Sequence, residues 1–166
     1  MICERSLEFG NNVYICFIDF EKAFDRVNWE KMMKVLLSIG VDWRDQRMIS
    51  EYMNQEAVAR IAGGESDSGI FKRGVRQGCP FSPLLFSIYP EMMTKETLEN
   101  VEEGIRVGGE LIMDVKYADD QGMVPNTEAG LQSLMDSLNI TAKYYDMKIN
   151  IKETKAKVIS RHGERE

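Results

Sequence analysis

Two acidic stretches carry the residues of this sequence that are best suited to chemistry. Asp19 follows the apolar run Val13–Ile18, and Asp119 and Asp120 come shortly after a second predicted strand, residues 112–117. If the ends of the two predicted strands converge, their carboxylates form an oxygen-rich site that suits Mg²⁺, a hard cation. Two-metal phosphoryl and nucleotidyl transfer requires a site of this kind, because the ions stabilise the attacking and leaving oxygens.

The pair Asp119-Asp120 also has an ordinary explanation. Residues 112–117 and 122–124 predict the two strands of a hairpin, with both acids in its tight turn, where Asp is common. A polar turn is therefore the alternative for this pair alone. For Asp19 the alternative is a polar cap at the end of a strand.

The spacing of apolar residues predicts the elements that position these acids. The run Val13–Ile18 is typical of a strand buried on both faces. Further strands are predicted over residues 57–62, 149–151 and 156–159. Helices are predicted from Asn28 to Gly40 and from Trp43 to Met53. A third begins at Thr127 and carries an apolar stripe that consists of Leu131, Leu134, Leu138, Ala142 and Tyr145.

Glycine and proline mark the connections between these elements. Residues 63–69 and 104–109 predict turns. The loop 74–83 leads into a helix, with a kink or an early end expected at Pro90. The buried stripe predicted for this helix consists of Leu84, Leu85, Ile88 and Met92. Strands and helices mix without strict alternation, which predicts an α+β domain with helices on one face of a mostly antiparallel sheet.

Composition excludes several classes of protein. The chain of 166 residues suits one domain, and no apolar run approaches membrane-spanning length. Three scattered cysteines and one histidine argue against a disulfide framework or a zinc site. Because the start of the chain lacks the pattern of a signal peptide, we expect an intracellular protein of the nucleus or cytoplasm that is not secreted. The net charge of −6 gives no global signature of nucleic-acid binding.

Four stretches, in this order and spacing, resemble the palm of a reverse transcriptase from non-LTR, LINE-like retrotransposons. They are residues 17–27 (FIDFEKAFDRV), 74–83 (GVRQGCPFSP), 117–120 (YADD) and 147–155 (MKINIKETK). The resemblance covers nearly the whole chain. It implies a polymerase palm of α+β class, in a single domain over residues 1–166 with a palm core, incomplete fingers and no thumb.

The resemblance also implies the catalytic and metal-binding residues. Asp19 and Asp119 correspond to the carboxylates that ligate two Mg²⁺ ions, for which Mn²⁺ can substitute. Asp120 is the third acid of the triad, and the backbone carbonyl of Phe20 adds a metal ligand. The implied reaction is template-directed nucleotidyl transfer on an RNA template, with a DNA primer and deoxynucleoside triphosphates as partners.

The implied nucleotide-binding residues are Phe20, Phe24, Gln77, Gly78 and Lys155. Phe24 corresponds to the position where a bulky ring disfavours a 2′ hydroxyl, the alternative being a core aromatic on a short turn. Gln77 and Gly78 correspond to residues that face the nucleotide and the templating base. Glycine suits this position because it lets the backbone approach a ligand closely. Lys155 approaches the triphosphate, or is a solvated lysine on an edge strand.

Several residues depart from the family pattern. Glu153 stands where a lysine is usual, which reverses a charge near the implied phosphate path. Asp146 replaces a glycine, Pro90 interrupts a helix, and Gln121 with Gly122 replaces threonine and an apolar residue, so a loose return strand is expected. From these departures and the net negative charge, we expect the chain to be a fragment that does not extend a primer on its own.

Two other functions remain open from the sequence. One is a catalytically inactive relic or a domesticated module that keeps the palm fold and binds nucleic acid or protein. The other is a palm enzyme that joins nucleotides without a template, against which the template-facing pair Gln77 and Gly78 argues.

Overall fold

The description of the chain covers most of its length. The computed structural model describes residues 12–54, 56–58, 60–61, 63–67, 69–70, 73–76, 78–99, 101, 104–107, 109–117, 120–160 and 163–165. Backbone contacts divide the chain into two compact units, which are described separately. The sheet unit consists of Met1–Glu21 and Met93–Glu166, and the helical unit consists of Lys22–Met92.

The described strands and helices are numbered in chain order. The strands are β1 (Val13–Ile18), β2 (Glu56–Ala57), β3 (Arg60–Ile61), β4 (Gly64–Glu65), β5 (Gly69–Ile70), β6 (Ile105–Val107), β7 (Glu110–Ile112), β8 (Asp114–Tyr117), β9 (Asp120–Met123), β10 (Lys155–Ser160) and β11 (Gly163–Arg165). The helices are α1 (Ala23–Arg26), α2 (Trp29–Ser38), α3 (Trp43–Met53), α4 (Phe81–Leu98) and α5 (Glu128–Tyr144).

Five strands of the sheet unit form one antiparallel sheet in the order β11-β10-β1-β9-β8. The predicted strand Val13–Ile18 is confirmed as β1, which pairs with β10 and β9. Val13, Cys16 and Ile18 are buried, because the strand lies inside the sheet and α5 packs against it. The α+β class with an antiparallel sheet is therefore confirmed.

Helix α5 follows the predicted pattern. The Thr127 side chain caps it by accepting a hydrogen bond from the Gly130 backbone N–H at 2.9 Å. Its buried residues repeat at helical spacing and include every member of the predicted stripe: Leu131, Leu134, Leu138, Ala142 and Tyr145. The next residue, Asp146, has a positive φ of 57°. This position therefore has the left-handed conformation that explains why a glycine is usual there.

Two segments of the sheet unit differ from their predicted structure. The turn expected over residues 104–109 contains β6, which forms a hairpin with β7, because the alternation Ile105-Arg106-Val107 outweighs the flanking glycines. The strand expected over residues 149–151 is reduced to a single bridge between Phe20 and Ile149, followed by a turn. Strand β11 was not predicted.

In the helical unit, α2 and α3 begin and end close to the predicted positions. The Asn28 side chain caps α2 by accepting from the Lys31 backbone N–H at 3.1 Å. The strand expected over residues 57–62 is split, since β2 pairs with β5 and β3 pairs with β4. The chain reverses around Gly63 and Gly64, so the predicted flexible turn over 63–69 contains short paired strands instead.

Helix α4 continues through Pro90 to Leu98, so the early end expected at this proline does not occur. The missing proline N–H removes one backbone hydrogen bond, and buried side chains lie on either side of it, Tyr89 and Met93. The predicted stripe is wrong at Leu84, which is exposed, and Ile88 and Met92 are only partly buried. The buried apolar side chains of the helix are Leu85, Phe86, Tyr89 and Met93. Among the described residues, no helix combines the length and apolar character needed to cross a membrane.

Candidate active site

Asp19 lies at the end of β1, directly after a buried residue. Ile18 is 3% exposed, whereas Asp19 is exposed to solvent. The buried face of β1 therefore fixes the point at which the acid leaves the sheet. The carboxylate itself is accessible, as the prediction of a cation site requires.

The segment Met147–Thr154 forms several hydrogen bonds with Asp19. The Asn150 side-chain amide donates to Asp19 Oδ2 at 2.8 Å, and the Asn150 backbone N–H donates to the Asp19 carbonyl at 2.8 Å. The Asp19 backbone N–H donates to Thr154 Oγ1 at 3.3 Å. One short segment thus contacts both the backbone and the carboxylate of Asp19.

Neighbouring residues extend this contact. The Glu21 backbone N–H donates to the Lys148 carbonyl at 2.9 Å, and the Lys148 ammonium pairs with the Glu21 carboxylate at 2.9 Å. Between them, Phe20 and Ile149 form a backbone bridge. The two hydrogen bonds that flank this bridge use the carbonyls of Asp19 and Lys148. The carbonyl of Phe20, the predicted metal ligand, is used by neither of them.

Strand register brings the second acidic stretch to the same end of the sheet. Ile18 lies opposite Gln121 and Phe17 opposite Gly122, so continuing the register by one residue places Asp19 opposite Asp120. The Asp120 backbone also pairs with Tyr117, so this residue begins β9 instead of lying in the turn. Asp119, Ala118 and the side chain of Asp120 lie outside the described residues. The approach of the Asp119 carboxylate to Asp19 therefore stays a prediction.

Gln121, the residue after Asp119 and Asp120, is buried and hydrogen-bonded. Gln121 is 5% exposed and donates its side-chain amide to the hydroxyl of Thr94, which is 1% exposed. Strand β9 is hydrogen-bonded on both edges, to β1 and to β8. The loose return strand expected from Gln121 and Gly122 is therefore wrong, because a buried hydrogen bond and two strand neighbours hold it.

Of the other predicted residues in the sheet unit, Lys155 begins β10 opposite Phe17 and is exposed. Glu153, the reversed charge, is exposed in the turn whose backbone N–H groups bond the Asn150 carbonyl. Both residues lie on or beside the segment that holds Asp19. The approach of Lys155 to a triphosphate remains a prediction.

In the helical unit, Phe24 belongs to α1 and stacks on Phe86 of α4. The two rings are 4.1 Å apart between centroids and 13° from parallel. Phe86 is buried and Phe24 is half-buried. This packing accords with the alternative of a core aromatic, and it also fixes the ring in one orientation, which a nucleotide-discriminating residue requires.

The loop that follows β5 is anchored by its first residues. The backbone N–H of Gly74 donates to the Val27 carbonyl at 2.8 Å, and the indole N–H of Trp29 donates to the Gly74 carbonyl at 2.7 Å. Gly74 has a φ of +87°, and a Cβ there would lie 3.1 Å from the Asp25 Cα. Only glycine fits this close approach without strain.

Gly78 lies in a different environment. It is exposed, has a φ of +81°, and has no heavy atom within 4 Å of the position that a Cβ would occupy. Its backbone is therefore accessible, in accord with the predicted approach of a ligand. Gln77 lies outside the described residues, and its role stays a prediction.

A polar cluster beside Gly78 was not predicted. It contains Tyr52, Arg76 and Cys79, with the Arg76 guanidinium 5.8 Å from the centre of the Tyr52 ring. The Tyr52 hydroxyl lowers the pKa of the Cys79 thiol, and the backbone N–H of Phe81 adds to this effect. Burial raises the pKa of Tyr52. The sequence places Cys79 next to Gly78 but gives no sign that Tyr52 is close.

The exposed carboxylate of Asp19 is a hard oxygen ligand of the kind that Mg²⁺ and Mn²⁺ prefer, and the Phe20 carbonyl stays a predicted second ligand. Within the described part of the chain, no group of three His, Cys, Asp or Glu residues is arranged to hold a metal ion. Completion of the predicted site depends on Asp119 and on the side chain of Asp120.

Comparison with known proteins identifies the family. Residues 4–163 match the family described as reverse transcriptase (RNA-dependent DNA polymerase). The chain is 27% identical over 155 residues to the Retrovirus-related Pol polyprotein from type-2 retrotransposable element R2DM of Drosophila melanogaster, covering 90% of this chain and 14% of the relative. It is 30% identical over 128 residues to the type-1 element R2 polyprotein of Nasonia vitripennis, covering 76% of this chain and 12% of the relative.

Solved structures that match this fold include telomerases. Apo telomerase of Candida tropicalis, truncated from the C-terminal domain, matches with a TM-score of 0.69 at 16% identity, covering 95% of this chain and 33% of the telomerase. The same telomerase in complex with a fragment of telomeric RNA matches with a TM-score of 0.70 at 15% identity, covering 98% and 30%. These matches confirm the palm fold. The family match over residues 4–163 and the R2 relatives show that the chain belongs to the reverse transcriptase family and is an RNA-directed DNA polymerase by descent, of the non-LTR retrotransposon type that its sequence resembles.

Proposed function

We propose that this chain supplies the palm of an R2-like RNA-directed DNA polymerase and performs template-directed nucleotidyl transfer by a two-metal mechanism. The observation that supports the proposal is the register of β1 and β9, in which Ile18 lies opposite Gln121, the residues next to Asp19 and Asp120 in the sequence. We propose that acids from distant parts of the sequence meet at this end of the sheet, where a hard cation can bind. The chain spans 14% and 12% of the R2 polyproteins that it matches, so the partners of the longer protein are part of the proposal.

In this proposal Asp19 and Asp119 hold Mg²⁺, or Mn²⁺ in its place, with Asp120 as the third acid. The carbonyl of Phe20 completes the set. Bound divalent ions supply stabilisation of the attacking 3′ oxygen and the leaving pyrophosphate. The protein's own contribution is orientation, because Asn150 donates a hydrogen bond to the Asp19 carboxylate and Thr154 accepts one from the Asp19 backbone N–H, which keeps Asp19 in one position.

The proposed nucleotide contacts lie partly in the helical unit. Gly78 offers an accessible backbone, and Gln77 is proposed to face the nucleotide with it. Phe24 is proposed to limit a 2′ hydroxyl, which its fixed stacking on Phe86 supports. Lys155 is proposed to approach the triphosphate from the start of β10. The proposed partners are an RNA template, a DNA primer and deoxynucleoside triphosphates, and the proposed place of action is intracellular.

One observation favours the alternative, a palm that binds without catalysis. Glu153 lies in the turn that holds Asp19 and adds negative charge beside the proposed phosphate path. Like charges there weaken the binding of a triphosphate. In this alternative the chain is a catalytically inactive relic or a domesticated module that keeps the palm fold and binds nucleic acid or protein without extending a primer.

Primer extension tests the proposed function. Residues 4–163 replace the matching segment of the Nasonia vitripennis R2 polyprotein, and extension of a DNA primer on an RNA template is measured with Mg²⁺ or Mn²⁺. We expect synthesis that falls at least about 10²-fold in the Asp119→Asn variant, because a residue that stabilises developing charge is lost. The matched control is Asp136→Asn, the same change on an exposed face of α5.

Equal synthesis by the Asp119→Asn variant and the parent would contradict the proposed role of the acids. Synthesis by the parent only when Glu153 is replaced by lysine would favour the non-catalytic alternative for the natural sequence. Titration of the isolated chain with Mn²⁺ tests the metal site independently of synthesis, because binding that depends on Asp19 shows an intact metal site even where synthesis is absent.

A further inference from the structure

The environment of Asp19 contains two side chains that no motif-based role accounts for. Asn150 and Thr154 lie 131 and 135 residues from Asp19 in the sequence, yet both contact it. The amide of Asn150 donates to Asp19 Oδ2 at 2.8 Å, and the hydroxyl of Thr154 accepts from the Asp19 backbone N–H at 3.3 Å. Side chains brought together over such distances in the sequence are placed by the fold and not by local conformation.

The chemistry of the Asn150 contact is specific. An ionised carboxylate only accepts hydrogen bonds, so the amide must turn its NH₂ group toward Asp19. Because this donor is neutral, it brings no positive charge to the carboxylate that would oppose the binding of a cation. Lys148, a cation from the same segment, pairs instead with Glu21 at 2.9 Å.

The backbone of the same segment makes the contact rigid. The Asn150 N–H donates to the Asp19 carbonyl at 2.8 Å, while the Asn150 carbonyl accepts from Glu153 at 3.2 Å and from Thr154 at 2.9 Å. The turn is therefore closed on itself and bonded to the end of β1. Because the Asn150 backbone is already ordered by the turn, the bond to Asp19 has to fix only the side-chain torsions of Asn150.

We propose that Asn150 is a positioning residue for Asp19, with Thr154 fixing the backbone of the same acid; this rests on the proposed role of Asp19 as a metal ligand. The amide holds Oδ2, so the carboxylate plane is set before a cation arrives. Residues that hydrogen-bond a metal-ligating carboxylate typically contribute about 10- to 100-fold to metal affinity or activity.

Titration of the isolated 166-residue chain with Mn²⁺ tests the proposal, with bound Mn²⁺ measured by electron paramagnetic resonance. We expect about tenfold weaker binding for Asn150→Ala. Asn139→Ala, the same change on an exposed position of α5, is the matched control and leaves the affinity unchanged. Thr154→Val, which removes the hydroxyl, weakens binding, whereas Thr154→Ser restores the acceptor and the affinity.

The melting temperature without metal separates positioning from a purely structural role. A lower melting temperature for Asn150→Ala with an unchanged Mn²⁺ affinity would overturn the proposal. If that variant does not fold, Asn150→Gln serves instead, since it keeps the amide but displaces it by one methylene. Binding by Asn150→Gln equal to the wild type would overturn the proposal, and weaker binding supports it.

The same titration of Asp19→Asn keeps this inference separate from the proposed function. If Asp19→Asn loses Mn²⁺ while Asn150→Ala binds it as well as the wild type, only the role of Asn150 is wrong. If Asp19→Asn binds Mn²⁺ as tightly as the wild type, the metal site itself is wrong, and the role of Asn150 is overturned with it.

Discussion

Two segments that carry predicted site residues are built in opposite ways. Asp19 is held at its backbone N–H, its backbone carbonyl and its carboxylate by residues from a distant part of the sequence. Gly78 is exposed, and no heavy atom lies within 4 Å of the position that a Cβ would occupy. The first segment is surrounded by partners within its own unit, and the second presents its backbone to solvent.

The comparison shows which part of a site the folded chain must hold in place and which part it must leave accessible. A carboxylate that ligates a metal must already be in place, because each degree of freedom fixed on binding weakens the interaction. A backbone that a ligand approaches must instead be left accessible. We therefore expect substitutions near Asp19 to change stability and metal binding together, and substitutions at Gly78 to change mainly the approach of a ligand.

The largest expected effect is at Ile18, whose burial sets the end of β1. Ile18→Ala removes buried methyl groups and is expected to lower the free energy of unfolding by about 2–5 kcal/mol. Phe17→Ala, one residue earlier and 48% exposed, is the control and is expected to cost much less. Urea denaturation of both variants measures the difference. Equal losses would show that the end of β1 is not anchored through its buried face.

The next largest expected difference in stability is between substitutions of Gly74 and Gly78, two glycines of the loop 74–83. Gly74→Ala places a Cβ 3.1 Å from the Asp25 Cα at a φ of +87°, so a loss of about 1–3 kcal/mol is expected. Gly78→Ala meets open space and is expected to cost only the left-handed conformation, about 1 kcal/mol. Thermal melting of the two variants compares them. A Gly78→Ala protein less stable than Gly74→Ala would contradict the description of an open loop.

A smaller, stabilising effect is expected at Asp146, which precedes the segment that holds Asp19. Asp146→Gly relieves a φ of 57° and is expected to raise the free energy of unfolding by about 0.5–1 kcal/mol. Asp136→Gly, the same change inside α5, is expected to lower it by about 1 kcal/mol. Chemical denaturation of both variants checks the opposite signs. Destabilisation by both changes would mean that Asp146 has no left-handed strain to relieve.

The smallest expected effect is on the reactivity of the Cys79 thiol and not on the stability of the fold. The pKa of Cys79 is lowered by the Tyr52 hydroxyl, so more of it is thiolate at neutral pH, whereas burial raises the pKa of Cys16. Iodoacetamide should therefore modify Cys79 before Cys16, as followed by mass spectrometry at each residue. Tyr52→Phe should slow the reaction of Cys79 near pH 7. An unchanged rate in that variant would show that the hydroxyl does not act on the thiol.

The sequence predicted the elements whose signals are local. The unbroken apolar run before Asp19 specified β1, and the spacing of Leu131, Leu134 and Leu138 specified the buried face of α5. It was less informative for α4, because apolar side chains lie on several sides of that helix. Leu84 and Leu85 are equally apolar, yet only Leu85 is buried.

The sequence predicted the acidic residues of the site but not the residues that form hydrogen bonds with its segments. The resemblance of four stretches indicated Asp19, Asp119 and Asp120, and strand register accords with the meeting of the first and third. The contacts of Asn150 with Asp19 and of Gln121 with Thr94 could not be predicted, because each joins residues far apart in the sequence. Only the folded chain shows which neutral side chain lies beside which acid.

A crystal structure of the chain with Mn²⁺, located by its anomalous scattering, tests the central claim most directly. We expect Mn²⁺ bound by the carboxylates of both Asp19 and Asp119, which then lie within about 8 Å of each other because they share ions about 4 Å apart. Asn150 is expected to remain bonded to Asp19 Oδ2 beside the ion. Mn²⁺ bound elsewhere, or a separation of the two carboxylates well beyond about 8 Å, would contradict a shared two-metal site.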